Sequence, residues 1–137
     1  MNSPMQNTAA LAGRILLALI FILSGWGKIT GYSGAAGYMA SAGMPLVNVL
    51  LPLAILAELG GGLLLVTGYQ ARWAAAGLFA FMIPTTLIFH GFWSVPAEQM
   101  QMQQIQFLKN LSIMGGMLMV TAFGPGAWSL GRDTAKA

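Results

Sequence analysis

Residues 46–68 read LVNVLLPLAILAELGGGLLLVTG: 23 positions, almost all apolar, with one charge, Glu58, near the middle. As a helix this run rises roughly 34 Å, enough to cross a hydrocarbon core of about 30 Å. A carboxylate at that depth costs about 3 kcal/mol on insertion scales. It must turn towards other helices and find a partner among them. Ala54, Gly61 and Gly62 share its face by helical spacing, and residues that small let a neighbouring backbone come close. Glu58 therefore belongs at a tight helix contact, and the remaining elements are placed by asking what surrounds it.

Composition points the same way. The 137 residues are 57% hydrophobic and 7% charged, whereas a soluble domain carries about 25% charged residues. One small all-α membrane domain, residues 1–137, follows. The net charge of +3 comes from scattered groups and offers no nucleic-acid face. With no cysteine, this chain alone makes no disulfide, thiol redox centre or cysteine-ligated iron–sulfur cluster. Ten methionines suit irregular helix packing. The first apolar run is longer than a secretory signal core. It lacks a basic flank and no close small-residue cleavage site follows, so it reads as a span.

Four spans emerge, at about 9–29, 46–68, 73–92 and 103–123, after a loose polar tail over residues 1–8. In the first, Arg14, Ala18, Phe21, Gly25 and Lys28 recur at spacings of four and three and line one face, so both charges point into the bundle. Residues 30–45 form a Gly- and Ser-rich connection holding a short interfacial helix at about 33–42, capped by Ser33 and ended by Gly43. Pro52 and Pro84 each sit inside a span. Thr85 and Thr86 stand ready to bond carbonyls that Pro84 frees. His90 ends the third span, a polar loop with Pro96, Glu98 and several Gln follows, and the fourth span opens with Gln103, Gln106, Lys109 and Asn110. Pro125 and Gly126 stop that helix, and the tail leaves the membrane. Trp26, Trp73, Trp93 and Trp128 read as interface anchors. Arg14, Arg72, Arg132 and Lys136 fall on one side and Lys28 and Lys109 on the other, so the positive-inside rule puts the termini in the cytoplasm.

At 1.5 Å per residue, Glu58 lies roughly 18 Å below the outer end of its span, Lys109 about 9 Å, and Lys28 and His90 within about 5 Å. Gln106 and Asn110 share the level of Lys109. These groups outline a polar pocket in the outer half with Glu58 as its floor. Two cations compete for Glu58. Arg14 is favoured because consecutive helices usually pack together, and Lys109 is the alternative. The same residues admit a plainer reading, in which a charge pair only fixes helix register. His90, alone near an interface, reads first as a hydrogen-bonded wall residue, then as a proton carrier, and last as a metal or haem ligand. There is no dinucleotide fingerprint, phosphate loop, metal-ligand cluster or Ser/His/Asp set. No internal repeat supports a transporter built from this chain alone.

Arg14 with SGWGKI (24–29), GYMASAGMP (37–45), AELGGGLLLVTGY (57–69), FHGFW (89–93), QFLKN (106–110) and GPGAWSL (124–130) run through nearly the whole chain in this order. Together they resemble the DoxX family of small bacterial inner-membrane proteins. Gly131-Arg132 departs from the pattern, since relatives often carry Asp there. The resemblance implies a four-helix inner-membrane bundle whose site residues match Arg14, Lys28, Glu58, His90, Lys109 and Asn110. It also implies an association with quinone-linked sulfur oxidation or membrane redox-stress complexes, functions that belong to larger relatives and partner proteins. The leading expectation is a subunit that binds a quinone-like or other amphipathic ligand. Glu58 or His90 would handle protons, and Lys109 and Asn110 would meet a carbonyl oxygen. The chain carries no cofactor of its own, with a quinone as the candidate. Its partners would be the bilayer and either a second copy or a membrane redox protein, and whether it is an enzyme stays open. The alternatives are a scaffold or assembly factor docking through the Gly61-Gly62 and Gly115-Gly116 surfaces, and a small-solute transporter.

Overall fold

The computed structural model describes residues 3–130. They form an all-α bundle of α1 (Pro4–Thr30), α2 (Tyr32–Ser41), α3 (Val47–Thr67), α4 (Ala71–Phe89), a 3-10 turn (Phe92–Ser94) and α5 (Ala97–Phe123). Four of these helices, all but α2, are long and apolar enough to cross a membrane. α1 packs chiefly on α3, α3 on α4, and α4 on α5, while α1 and α5 barely touch. Trp26 and Trp93 stand at the α2 end and Trp73 and Trp128 at the opposite end. All four are about half exposed or more, as expected of side chains that meet headgroups on the two faces of a bilayer.

The short helix α2 lies where the connection was expected to hold one, but Gly31 stands at its N-cap without a side-chain bond, and Ser33, expected as the cap, falls inside its first turn. Two longer helices begin earlier than their apolar runs. α1 starts at Pro4, within the segment read as a loose tail. Ser3 Oγ accepts from the Gln6 N–H, Gln6 Oε1 accepts from the Ser3 N–H, and Pro4 occupies the first turn. That capping box satisfies two donors that would otherwise face solvent. α5 starts at Ala97 rather than Gln103. Gln and Met are good helix formers, so a polar first turn extends the span instead of looping.

Opposite α2 the packing is tight. Ala18, Leu65, Ala75, Leu78 and Met117 are buried at 2% exposure or less. Glycines permit the approach: a β-carbon on Gly62 would meet Ile22 Cγ1 at 2.7 Å, and one on Gly61 would meet Leu78 at 2.8 Å. The Gly61-Gly62 surface is therefore consumed inside the fold by α1 and α4, and is not available to dock a partner. Gly116 likewise faces Leu17, whereas Gly115 has open space.

The chain after α5 does not simply leave. It turns at Gly124 (φ 83°), and Leu130 N–H donates to Thr67 O at 2.7 Å. Residues 124–130 thus fold back across the end of α3. Arg132, Asp133 and Lys136 lie outside the described residues.

Candidate functional site

Arg14 is 2% exposed, yet it does not reach Glu58. Its Nε donates to Leu65 O at 2.6 Å, its Nη2 to Val66 O and Trp128 O at 3.1 and 3.0 Å, and its Nη1 to Pro125 O. The last turn of α3 leaves carbonyls without intrahelical partners, and the planar guanidinium collects two of them with two from the returning segment. Arg14 is a clamp, not the counter-ion of Glu58.

That counter-ion is Lys28, whose Nζ lies 2.8 Å from Glu58 Oε1. Register explains the correction. The antiparallel pair α1 and α3 sets Gly25 beside Leu59 and Ala18 beside Gly62, so Arg14 falls level with Leu65 and beyond. That is seven residues, about 10 Å, past Glu58. Flush helix ends would bring Arg14 closer to the level of Glu58, but α1 starts at Pro4 and overhangs α3. Ser24, one turn before Lys28 on α1, accepts from Nζ at 2.7 Å and holds the ammonium in place. It carried no role in the sequence reading, although its i, i+4 spacing to Lys28 was a usable signal.

The Glu58 side chain is 8% exposed, and its Oε1 is fully buried without a hydrogen bond. The Lys28 contact is thus a close charge pair whose direction is not that of a hydrogen bond. Both side chains line a cavity of about 760 Å³ in the half of the bundle closed by α2. Its walls are apolar, including Phe21, Met39, Phe81, Met82 and Ile113. Tyr38 of α2 stacks on Phe89 of α4 at the same end, with centroids 5.2 Å apart. Among its rim residues, Ile20, Leu53 and Ile88 are 43–54% exposed on the outer surface of the bundle.

His90 and Asn110 also line this cavity. His90 Nδ1 lies 2.9 Å from Gln103 Oε1. An amide oxygen only accepts, so in this orientation the neutral ring carries its proton on Nδ1 and leaves Nε2 as an acceptor. Asn110 Nδ2 donates to Thr86 Oγ1 at 3.0 Å, tying α5 to a threonine that is 2% exposed. Thr85 Oγ1 donates to Phe81 O at 2.8 Å beside Pro84. Gln103 and Thr86, the partners of His90 and Asn110, were not among the expected site residues.

Lys109 and Gln106 do not join the site. Lys109 is exposed on the outer face of α5, and Gln106 is half-buried but outside the cavity lining. The inward face of α5 runs through Gln103, Phe107, Asn110, Ile113 and Met117, and Lys109 is one residue off it. That periodicity was legible and puts Lys109 outside the cavity lining. Among the described residues no group of three His, Cys, Asp or Glu is placed to hold a metal ion. Lys28, Glu58, His90 and Asn110 are brought together from all four long helices. They can offer an amphipathic molecule an apolar slot with a polar floor.

Comparison with known proteins agrees with this architecture. The profile of the DoxX family matches residues 9–91. Inner membrane protein YqjF of Escherichia coli (strain K12) is 39% identical over 128 residues, covering 93% of each chain. Inner membrane protein YphA of the same organism is 35% identical over 122 residues, covering 89% of this chain and 87% of YphA. The Surfeit locus protein 4 homolog of Drosophila melanogaster is 29% identical over an alignment covering 98% of this chain and 44% of that protein. No solved structure matches the chain. With most of its length aligned to these inner-membrane proteins and four apolar helices to cross the bilayer, this multi-pass inner-membrane chain belongs to the DoxX family.

Proposed function

We propose that the protein is a membrane binding subunit for a quinone-like amphipathic ligand, taken up in the cavity between α1, α3, α4 and α5. The observation that carries this reading is the Lys28–Glu58 pair on the wall of a mostly apolar cavity of about 760 Å³. Ligand sites are usually concave and apolar, with few polar groups to fix orientation, and a partly unsatisfied charge inside a membrane marks function. The exposed rim at Ile20, Leu53 and Ile88 supports entry from the acyl-chain region. A redox step at this site needs electrons from the ligand or from a partner chain, so the subunit works beside a redox protein or a second copy.

The experiment is titration of the full-length protein in lipid nanodiscs with a short-chain quinone, read by calorimetry. Saturable binding that falls at least tenfold in Ala54→Phe, which fills the cavity beside Glu58, supports the reading. Binding that is absent, or indifferent to that substitution, removes it.

The termini are proposed to face the cytoplasm, because Arg72 joins Arg14 at the end opposite α2 while Lys28 lies at the α2 end. The natural chain has no cysteine, so single Ser3→Cys and Ser41→Cys variants test this cleanly. An impermeant maleimide should label position 41 in intact spheroplasts and position 3 only after lysis; the reverse pattern inverts the topology.

A further inference from the structure

We infer that two copies of this chain pair through the outer face of α5, packed in parallel about a two-fold axis along the membrane normal. This goes beyond the ligand pocket and does not depend on it.

α5 is the least covered of the long helices. Met117 is the one buried residue among its 27, whereas α1, α3 and α4 bury four to six each. The face turned away from Met117 carries Ile105, Leu108, Ser112, Gly115, Met119 and Ala122, all exposed. Their spacings alternate three and four, the repeat that keeps one helix against another over several turns. Lipid alone does not ask for such a face. The outer side of α1, with Leu16, Leu19, Ile20 and Leu23, is apolar and bulky throughout, while this one sets a serine and a glycine within the span. Residues that small let a neighbouring backbone come close. A β-carbon on Gly115 would meet nothing within 4 Å, unlike one on Gly116, which Leu17 already covers.

The flanks of this seam point to the occupant. Copies inserted in one membrane share a topology, so a two-fold axis along its normal runs their α5 helices parallel. In a parallel seam of this repeat, a flanking residue on one helix meets the residue five positions later on the other. That offset sets Gln104 against Lys109 of the partner subunit. Both are exposed, and neither has a hydrogen bond or ion pair among the described residues. An amide oxygen accepts from an ammonium, and the symmetry makes the pair twice. The same offset sets Leu118, 50% exposed, against Phe123 of the partner subunit, 74% exposed, apolar on apolar. One helix thus supplies both sides of its own contacts, as an isologous interface requires. A foreign partner demands no such match within a single sequence.

The test uses the full-length chain, which has no native cysteine, in liposomes at a high lipid-to-protein ratio. Ser112→Cys, on the seam, should cross-link to a dimer under copper-phenanthroline oxidation, and Leu16→Cys on α1 should not. Förster transfer between copies labelled at Ser41→Cys measures the strength of pairing. Gly115→Leu enters open space, so the fold survives, and it should weaken pairing about tenfold. Gln104→Lys sets ammonium against ammonium and should weaken pairing severalfold. Adding Lys109→Glu to it should restore pairing to at least its natural strength. No cross-link at position 112, equal cross-linking at position 16, or pairing indifferent to Gly115→Leu overturns the inference. So does failure of Lys109→Glu to rescue Gln104→Lys, because the flanks would then not meet in the parallel register. None of these readouts involves a ligand, so loss of quinone binding would remove the pocket and leave the pairing standing.

Discussion

Among the described residues the bundle holds two buried charges, in opposite halves, and treats them differently. At the end away from α2, the Arg14 guanidinium donates to four backbone carbonyls and is 2% exposed. At the α2 end, Glu58 has one cation beside it, no hydrogen bond at Oε1, and a large cavity against its side chain. Burial alone does not separate these residues: they are 2% and 6% exposed. What separates them is saturation. A buried charge whose bonding capacity is filled by its own chain has a structural task. One left with capacity to spare beside empty space is available for chemistry.

Substitutions should reproduce that division. Breaking the filled charge should cost most. Arg14→Met strands four carbonyls and should lower stability by about 4 kcal/mol, measured by unfolding in mixed micelles; a loss below about 1 kcal/mol would deny Arg14 its clamping role. Glu58→Leu alone should cost about 3 kcal/mol by leaving Lys28 without its partner, whereas Lys28→Met/Glu58→Leu should recover most of that. Equal losses in the single and double variants would show that the pair has no coupling. Gly62→Val, in the tight half, must displace Ile22 and should cost about 2 kcal/mol. Its thermal midpoint should drop while ligand affinity in the folded fraction stays put, and lost affinity at full stability would blur the two halves. Lys109→Gln touches neither half and should change stability and ligand affinity by no more than about 0.5 kcal/mol.

The fold was largely legible because its signals are strong: four apolar runs, an inward face on α1 at spacings of three and four, and a Gly-Ser connection between the first two. The site was legible in part. Lys28, Glu58, His90 and Asn110 do share a cavity at the α2 end, since apolar length and helix direction fix depth to within a few ångströms. The pairing was not, because a partner depends on register between helices, and register shifts with every residue that a polar helix end adds. Ser3 and Gln6 lengthen α1 by a turn that no hydropathy pattern contains. Lys109 was misplaced for a simpler reason: depth was used without azimuth. The role of residues 124–130 escaped altogether, since nothing in GPGAWSL shows that its carbonyls serve a residue 111 positions earlier.

That long-range bond has a consequence for biosynthesis. α1 reaches the bilayer before α3 and α5, and Arg14 enters with it while Pro125 and Trp128 are still untranslated. Two of its acceptors arrive with α3, and the other two emerge only after α5 has been made. The nascent protein therefore stays incomplete at one end until residues 124–130 emerge, and a chain cut short after α5 leaves the guanidinium with half of its acceptors.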